Sequence, residues 1–129
     1  MEKIVFEVLD QEYSVYKFCT NYKIDHNIFD NEFISITKTN EEFSVVAISG
    51  LLKDFKEKED NWKILKIMGT LDFSLIGIIS EISSILANNG ISIFVISTFN
   101  TDYIMVKIEK LDNAIKLLEE NNYEIQQNV

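Results

Sequence analysis

Residues 62–77 read WKILKIMGTLDFSLIG, and residues 89–108 read NGISIFVISTFNTDYIMVKI. The apolar run that ends at Gly69 is too short for a free-standing helix, so it predicts a β-strand. The second segment predicts a β-hairpin, because two runs of β-branched and aromatic residues flank turn-forming residues at 98–102.

Two amphipathic helices complete this part of the chain. The first has apolar residues at spacings of three and four, namely Leu75, Ile78, Ile79, Ile82, Ile85 and Leu86. Asp72 and Ser74 precede it as candidate caps, and the second helix follows the hairpin at 111–118. With a last short strand at 123–126, the order is β-α-β-β-α-β. This order predicts an α+β, ferredoxin-like unit with a four-stranded antiparallel sheet and two helices on one face.

An internal repeat relates this unit to the preceding sequence. Without a gap, residues 3–61 align with residues 63–121, and eleven of the fifty-nine pairs are identical. The first copy predicts a strand at 3–8, one or two helical turns at 15–22 with Cys19 buried, and a hairpin at 33–49. A second helix begins at Leu51, but too few residues remain for both a full helix and a fourth strand. We therefore expect two units in tandem, a truncated one at 1–60 and a complete one at 61–129.

Composition excludes several classes of function. The net charge of −9 disfavours nucleic acid and anionic membranes as partners. All twelve basic residues are Lys, so no guanidinium can clamp an anion. One Cys and one His exclude an intrachain disulfide and the usual zinc ligand sets. We find no signal peptide and no apolar run of about 20 residues, so we expect a cytoplasmic protein.

Three strings of residues resemble a known family. They are LDFSLIG at 71–77, GISIFVISTFNTDY at 90–103 and FISITKTNEEFSVV at 33–46. The chain resembles the small bacterial tandem ACT-domain proteins, to which the eukaryotic cytosolic arginine sensors are similar. ACT domains are ferredoxin-like regulatory modules that bind amino acids or other small ligands at interfaces between domains, and the resemblance implies the same here. The chain departs from the family at Lys38, where members often have Arg.

The candidate ligand site combines the loop before the first helix with the facing hairpin. The loop could receive a carboxylate through free backbone N–H groups at a helix N-terminus. Strand-end carbonyls and the Asp102 carboxylate could accept from an ammonium group. The candidate ligand-binding residues are Gly69, Leu71, Asp72, Phe73, Ser74, Ile96, Ser97, Thr98, Asn100, Thr101 and Asp102. By the resemblance, the other wall comes from the first copy or from a second chain.

Each of these residues also has a purely structural interpretation. Asp72 and Ser74 can be helix caps, and residues 98–102 are common turn formers. Gly77 in the first helical turn suggests close packing of another unit, and Phe99 suggests a core or interface residue.

The sequence contains no catalytic motif, metal site or cofactor-binding motif that we recognise. We therefore expect a non-enzymatic regulatory protein that binds an amino acid and forms a homodimer or larger homo-oligomer. A ligand-free ACT-fold dimerisation or interaction module is the alternative. A small enzyme would need a cluster of polar residues that the sequence does not show.

Overall fold

The computed structural model describes residues 3–68 and 77–127. Within these residues, two α-helices are present, α1 (Ile78–Ala87) and α2 (Leu111–Glu120). The strands are β1 (Val5–Val8), β2 (Tyr13–Phe18), β3 (Ser35–Lys38), β4 (Phe43–Ile48), β5 (Glu57–Ile67), β6 (Ile93–Ser97), β7 (Asp102–Lys107) and β8 (Glu124–Gln127). Short 3-10 helices occur at His26–Asp30 and Ile108–Lys110.

The chain divides into two compact units. The split unit combines Met1–Asp10 with Trp62–Val129, and the middle unit is Gln11–Asn61. The sequence-based boundary between residues 60 and 61 is close to the start of the second segment of the split unit. However, residues 1–10 group with that later segment and not with the residues that follow them.

The split unit contains a five-stranded sheet in the order β6-β7-β5-β1-β8. All neighbours are antiparallel except β1 and β8, which are parallel. The predicted order β-α-β-β-α-β is present from β5 to β8, but the predicted four-stranded antiparallel sheet is wrong in one respect. The strand β1 lies between β5 and β8 and hydrogen-bonds to both, so the sheet gains a strand from the N-terminal sequence.

Both helices pack on one face of this sheet. The core contains Ile82 and Leu86 from α1 and Ala114 and Leu118 from α2, all at most 1% exposed. Every second residue of the central strands faces them, because side chains alternate along a strand. These sheet residues are Phe6, Val8, Leu65, Ile67, Ile104 and Val106.

The middle unit is built on the antiparallel sheet β3-β4-β2. Its core contains Tyr16 and Phe18 from β2 and Val45 and Ala47 from β4. The predicted hairpin is present as β3 and β4. Residues 11–61 are all described, and they contain no α-helix.

Three predictions for the middle unit are wrong. The helical turns predicted at 15–22 are absent, because residues 15–18 lie in β2, where Tyr16 and Phe18 share a buried face. The predicted burial of Cys19 is also wrong, since Cys19 is exposed. No helix begins at Leu51, because the chain turns there with Gly50 at φ 81° and Asp54 at φ 63°. The charged residues farther along the chain begin β5 at Glu57.

Candidate functional site

The turn between β6 and β7 is closed by its own threonines. The Thr98 backbone N–H donates to the Thr101 carbonyl at 2.8 Å, and the Thr98 hydroxyl donates to the same carbonyl at 3.0 Å. The Thr101 N–H in turn donates to Thr98 Oγ1 at 3.3 Å. These bonds satisfy the turn internally, so the predicted turn chemistry at Thr98 and Thr101 has a structural role.

Thr101 also connects this turn to β5. Its side chain is only 5% exposed, and its Oγ1 donates a hydrogen bond to the Ile67 carbonyl at 2.8 Å. Ile67 is the last residue of β5. The hairpin turn and the end of β5 are therefore held together by a buried bond between atoms that are distant in sequence.

Asp102 begins β7 beside the last residue of β6. Its carboxylate accepts a hydrogen bond from Ser97 Oγ, and the two residues are paired in the sheet register. Asp102 is half-buried, whereas Ser97 is exposed. A carboxylate has about four acceptor positions, so this bond leaves acceptor capacity for a further donor.

The other predicted hairpin residues differ in their exposure. Ile96 is half-buried and pairs with Tyr103. Thr98 and Asn100 are exposed. Phe99, at the tip, is 89% exposed, so it does not belong to the core, and its place at an interface stays a prediction.

Five of the predicted ligand-binding residues lie outside the described residues. They are Gly69, Leu71, Asp72, Phe73 and Ser74. The described chain on one side ends at Met68, whose N–H donates to the Val5 carbonyl at 2.7 Å. On the other side it resumes at Gly77.

Gly77 immediately precedes α1 and has φ 87°, a left-handed conformation that favours glycine. The prediction that it lies inside the first helical turn is therefore wrong, because the helix begins at Ile78. A Cβ at Gly77 would meet no heavy atom within 4 Å. Its backbone conformation explains the glycine without any close packing inside this chain, and close packing of another unit stays a prediction.

The first turn of α1 carries a partly buried contact that the sequence analysis missed. The Tyr123 hydroxyl donates to Glu81 Oε1 at 2.7 Å. Burial is the main cause of a raised Tyr123 pKa, and the bond to Glu81 and its negative charge raise that pKa further. The phenol is therefore a stable donor. The carboxylate it fixes also interacts favourably with the positive end of the helix dipole.

The only sequence signal for this contact was the predicted fold. A helix that returns across a sheet brings its first turn near the start of the last strand, and Tyr123 precedes β8 directly. The repeat gives no such signal, because the first copy has Asn21 where the second has Glu81.

Among residues 3–68 and 77–127 we find no group of three or more His, Cys, Asp or Glu side chains placed to hold a metal ion. No helix in that part of the chain is both long enough and apolar enough to cross a membrane. The site described so far is therefore a hairpin turn, a strand end and the start of a helix, with the carboxylates of Asp102 and Glu81.

Residues 57–120 match the family model described as the ACT domain. The matched segment begins with β5 and ends with α2. Together with the order of strands and helices, this match supports an ACT domain in this part of the chain. ACT domains are regulatory and not catalytic. No curated protein gave a significant match.

Solved structures share the fold over nearly the whole chain. A protein of Agobacterium tumefaciens is 27% identical, with a TM-score of 0.89 over 100% of this chain and 96% of the other. The regulatory subunit of aspartate kinase from Thermus thermophilus is 9% identical, with a TM-score of 0.59 over 88% and 95%. A structure of aspartokinase alpha and beta subunits is 15% identical, with a TM-score of 0.63 over 92% and 96%. The two kinase structures show similarity of fold alone.

Proposed function

We propose that this chain is a regulatory protein that binds an amino acid at the end of β5 and the adjoining β6–β7 turn. The bound site lies at an interface with a second ACT unit, and the protein acts as a homodimer or larger homo-oligomer. In this proposal the chain is not an enzyme and needs no cofactor. Binding changes how the protein associates with itself or with a partner.

The hydrogen bond between Thr101 Oγ1 and the Ile67 carbonyl carries this proposal. It joins the hairpin to the strand that leads into residues 69–74. The Asp102 carboxylate is next to Thr101 and is bonded to Ser97 Oγ. An acceptor for an ammonium group is therefore close to the end of β5, and the segment proposed to receive a carboxylate follows β5 in the sequence.

The two charged groups of the ligand need different partners. The ligand carboxylate would be held by backbone N–H groups of residues 69–74 and the first turn of α1, since the chain has no arginine. The ligand ammonium would donate to Asp102 and to carbonyls near Ile96 and Thr98. Gly69, Leu71, Asp72, Phe73, Ser74 and Asn100 complete the proposed set.

A thermal-shift screen of the purified protein tests the proposal. The probes are the proteinogenic amino acids, with purines and pyrimidines as a second class. A ligand present at 100 times its Kd stabilises the folded state by about 2.7 kcal/mol, a shift of several degrees for a domain of this size. We expect at least one amino acid to give such a shift, confirmed by calorimetry.

Variants then locate the site. We expect Asp102→Asn and Ser74→Ala to lower affinity for that amino acid by about tenfold or more, since each removes a charged or polar contact. Glu119→Gln is the matched control, because it removes a carboxylate from the exposed face of α2 and should leave affinity unchanged. Equal affinity in all three variants would reject the site, and a screen without any hit would reject the ligand-binding function.

The edge strand β6 favours a second candidate function. Its only partner among the described residues is β7, and Phe94 on this strand is 38% exposed. An open strand edge with an exposed aromatic residue can pair with another chain. A flat ligand screen together with a concentration-dependent dimer in light scattering would favour a ligand-free interaction module.

A further inference from the structure

A second group of residues lies on the sheet face of the split unit that does not contact the helices. In the register, Trp62 of β5 is paired with Lys107 of β7. Leu65, three residues after Trp62, and Val106, next to Lys107, pack with α1 and α2 in the core. Because side chains alternate along each strand, Trp62 and Lys107 belong to the opposite face.

Three side chains form a cluster there, which we call the Trp62 cluster: Trp62, Phe94 and Lys107. The Phe94 ring meets the Trp62 ring edge-on, with 6.2 Å between centroids and 62° between planes. The Lys107 ammonium lies 4.6 Å from the centroid of the Trp62 ring. A positive charge and two aromatic rings are therefore in direct contact.

The Trp62 indole has a buried hydrogen-bond donor without an acceptor. Trp62 is 6% exposed, and its Nε1–H is the one buried side-chain donor without a partner in the part of the chain that the structure describes. A buried Trp N–H normally has a partner, and an orphaned buried polar group destabilises the folded state. An acceptor that reached this N–H would remove the penalty.

We propose that the Trp62 cluster binds a small monocarboxylate that carries an aromatic or branched apolar group. One carboxylate oxygen accepts from Trp62 Nε1–H, and the negative charge lies close to the Lys107 ammonium. The apolar group covers Phe94, which is 38% exposed. Multivalent anions are disfavoured, because the chain carries a net charge of −9.

This site is separate from the amino-acid site proposed above. Trp62 and Ile67 are five residues apart on the extended strand β5, which corresponds to about 17 Å. One small ligand cannot span both ends. The two sites can therefore be tested independently in the same protein.

The single tryptophan of the chain makes the test direct. In ¹⁵N-labelled protein, Trp62 gives one indole N–H resonance, and a new hydrogen bond moves it downfield. We expect titration with phenylacetate to move this resonance with saturation. The neutral analogue phenylacetamide should bind about tenfold more weakly, since it lacks the charge that Lys107 attracts.

Variants separate the contributions of the Lys107 charge, the Phe94 ring and the Trp62 N–H donor. Lys107→Gln should weaken phenylacetate binding about tenfold, and Lys116→Gln on the exposed face of α2 should not. Phe94→Ser should lower the affinity by removing apolar contact. In calorimetry, Trp62→Phe should also weaken binding, because it retains a ring but removes the N–H donor.

Several outcomes would overturn the proposal. One is an indole resonance that does not move with saturation, including one already in a hydrogen-bonded position in buffer alone. Another is equal binding of phenylacetate by the wild-type protein and by Lys107→Gln or Trp62→Phe. Equal binding of inorganic phosphate would reject the carboxylate class.

Discussion

The turns of the two hairpins share two hydrogen bonds, but within the described residues only the second turn is bonded to a neighbouring strand. In the β3–β4 turn, the Thr39 N–H donates to the Glu42 carbonyl at 2.9 Å, and Thr39 Oγ1 accepts from the Glu42 N–H at 3.1 Å. Thr98 and Thr101 repeat this pattern in the β6–β7 turn. The last turn residue, however, is exposed Glu42 in the first hairpin and buried Thr101 in the second.

This difference separates what closes a turn from what fixes its position. A threonine at the first position closes both turns, and it needs only atoms within the turn. Thr101 adds a bond to the Ile67 carbonyl, which no residue of the β3–β4 turn makes among the described contacts. The β6–β7 turn is thus fixed to the end of a neighbouring strand. Residues that bind a ligand need to be held by rigid elements in this way.

Removing that bond should have the largest effect. Thr101→Val keeps the side-chain shape but leaves the Ile67 carbonyl without its Thr101 donor. We expect a loss of about 1–3 kcal/mol in the free energy of unfolding, measured by urea denaturation. Glu42→Gln, at the matching position of the other turn, should change it by less than about 0.5 kcal/mol. Equal losses of stability in both variants would contradict a special role for the bond between Thr101 and Ile67.

Two tyrosines, one in each unit, extend the comparison to alkaline pH. Burial and then Glu81 raise the Tyr123 pKa, while burial and then the charges of Asp54 and Asp25 raise the Tyr22 pKa. A pKa raised by folding means that the folded state keeps its proton after the unfolded chain has lost it. Stability is therefore complete below the unfolded value, about 10, and falls as the pH rises above it.

Unfolding measured from pH 8 to pH 11.5 checks this sign. We expect Tyr123→Phe to lower stability at neutral pH, because Glu81 loses its donor, and to make the alkaline decline shallower. Tyr22→Phe should change the alkaline decline less, since Tyr22 is half-buried and Tyr123 is buried. A decline that neither variant reduces would mean that other groups cause it.

Replacing the first threonine of each turn should have the smallest effect on stability, and this effect should be the same in both turns. We expect Thr39→Ala and Thr98→Ala each to cost about 0.5–1.5 kcal/mol, because each loses a hydroxyl that bonds the turn backbone. Only Thr98→Ala should also lower ligand affinity in the thermal-shift assay. A much larger loss for Thr98 than for Thr39 would show that the first threonine, too, has a role outside its turn.

Local patterns predicted most of the split unit correctly. The apolar spacing at 78–86 is typical of a helix facing a sheet, and the turn formers at 98–102 separate two strands of the expected composition. The expected order also brings the hairpin near the end of β5, and the Thr101 bond to Ile67 is found there. The ligand-binding roles of the site residues stay a prediction.

The predictions failed where the same residues fitted both helical and strand spacing. They also failed where a strand pairs with strands far away in the sequence. Val15, Phe18 and Tyr22 have helical spacing, but Tyr16 and Phe18 also alternate, and packing in the middle unit selected the strand. The charged start of β5 has no hydrophobic period to detect. The position of β1 depends on pairing with strands about 60 and 120 residues later, for which the sequence gives no local signal.

The position of β1 between β5 and β8 also determines the order in which the protein can fold during synthesis. β1 leaves the ribosome before β8, its partner about 120 residues later in the chain. The split unit therefore cannot close its sheet until β8 has been synthesised, while the middle unit can fold earlier. A fragment that begins at residue 61 would contain the whole β-α-β-β-α-β order and still lack an interior strand.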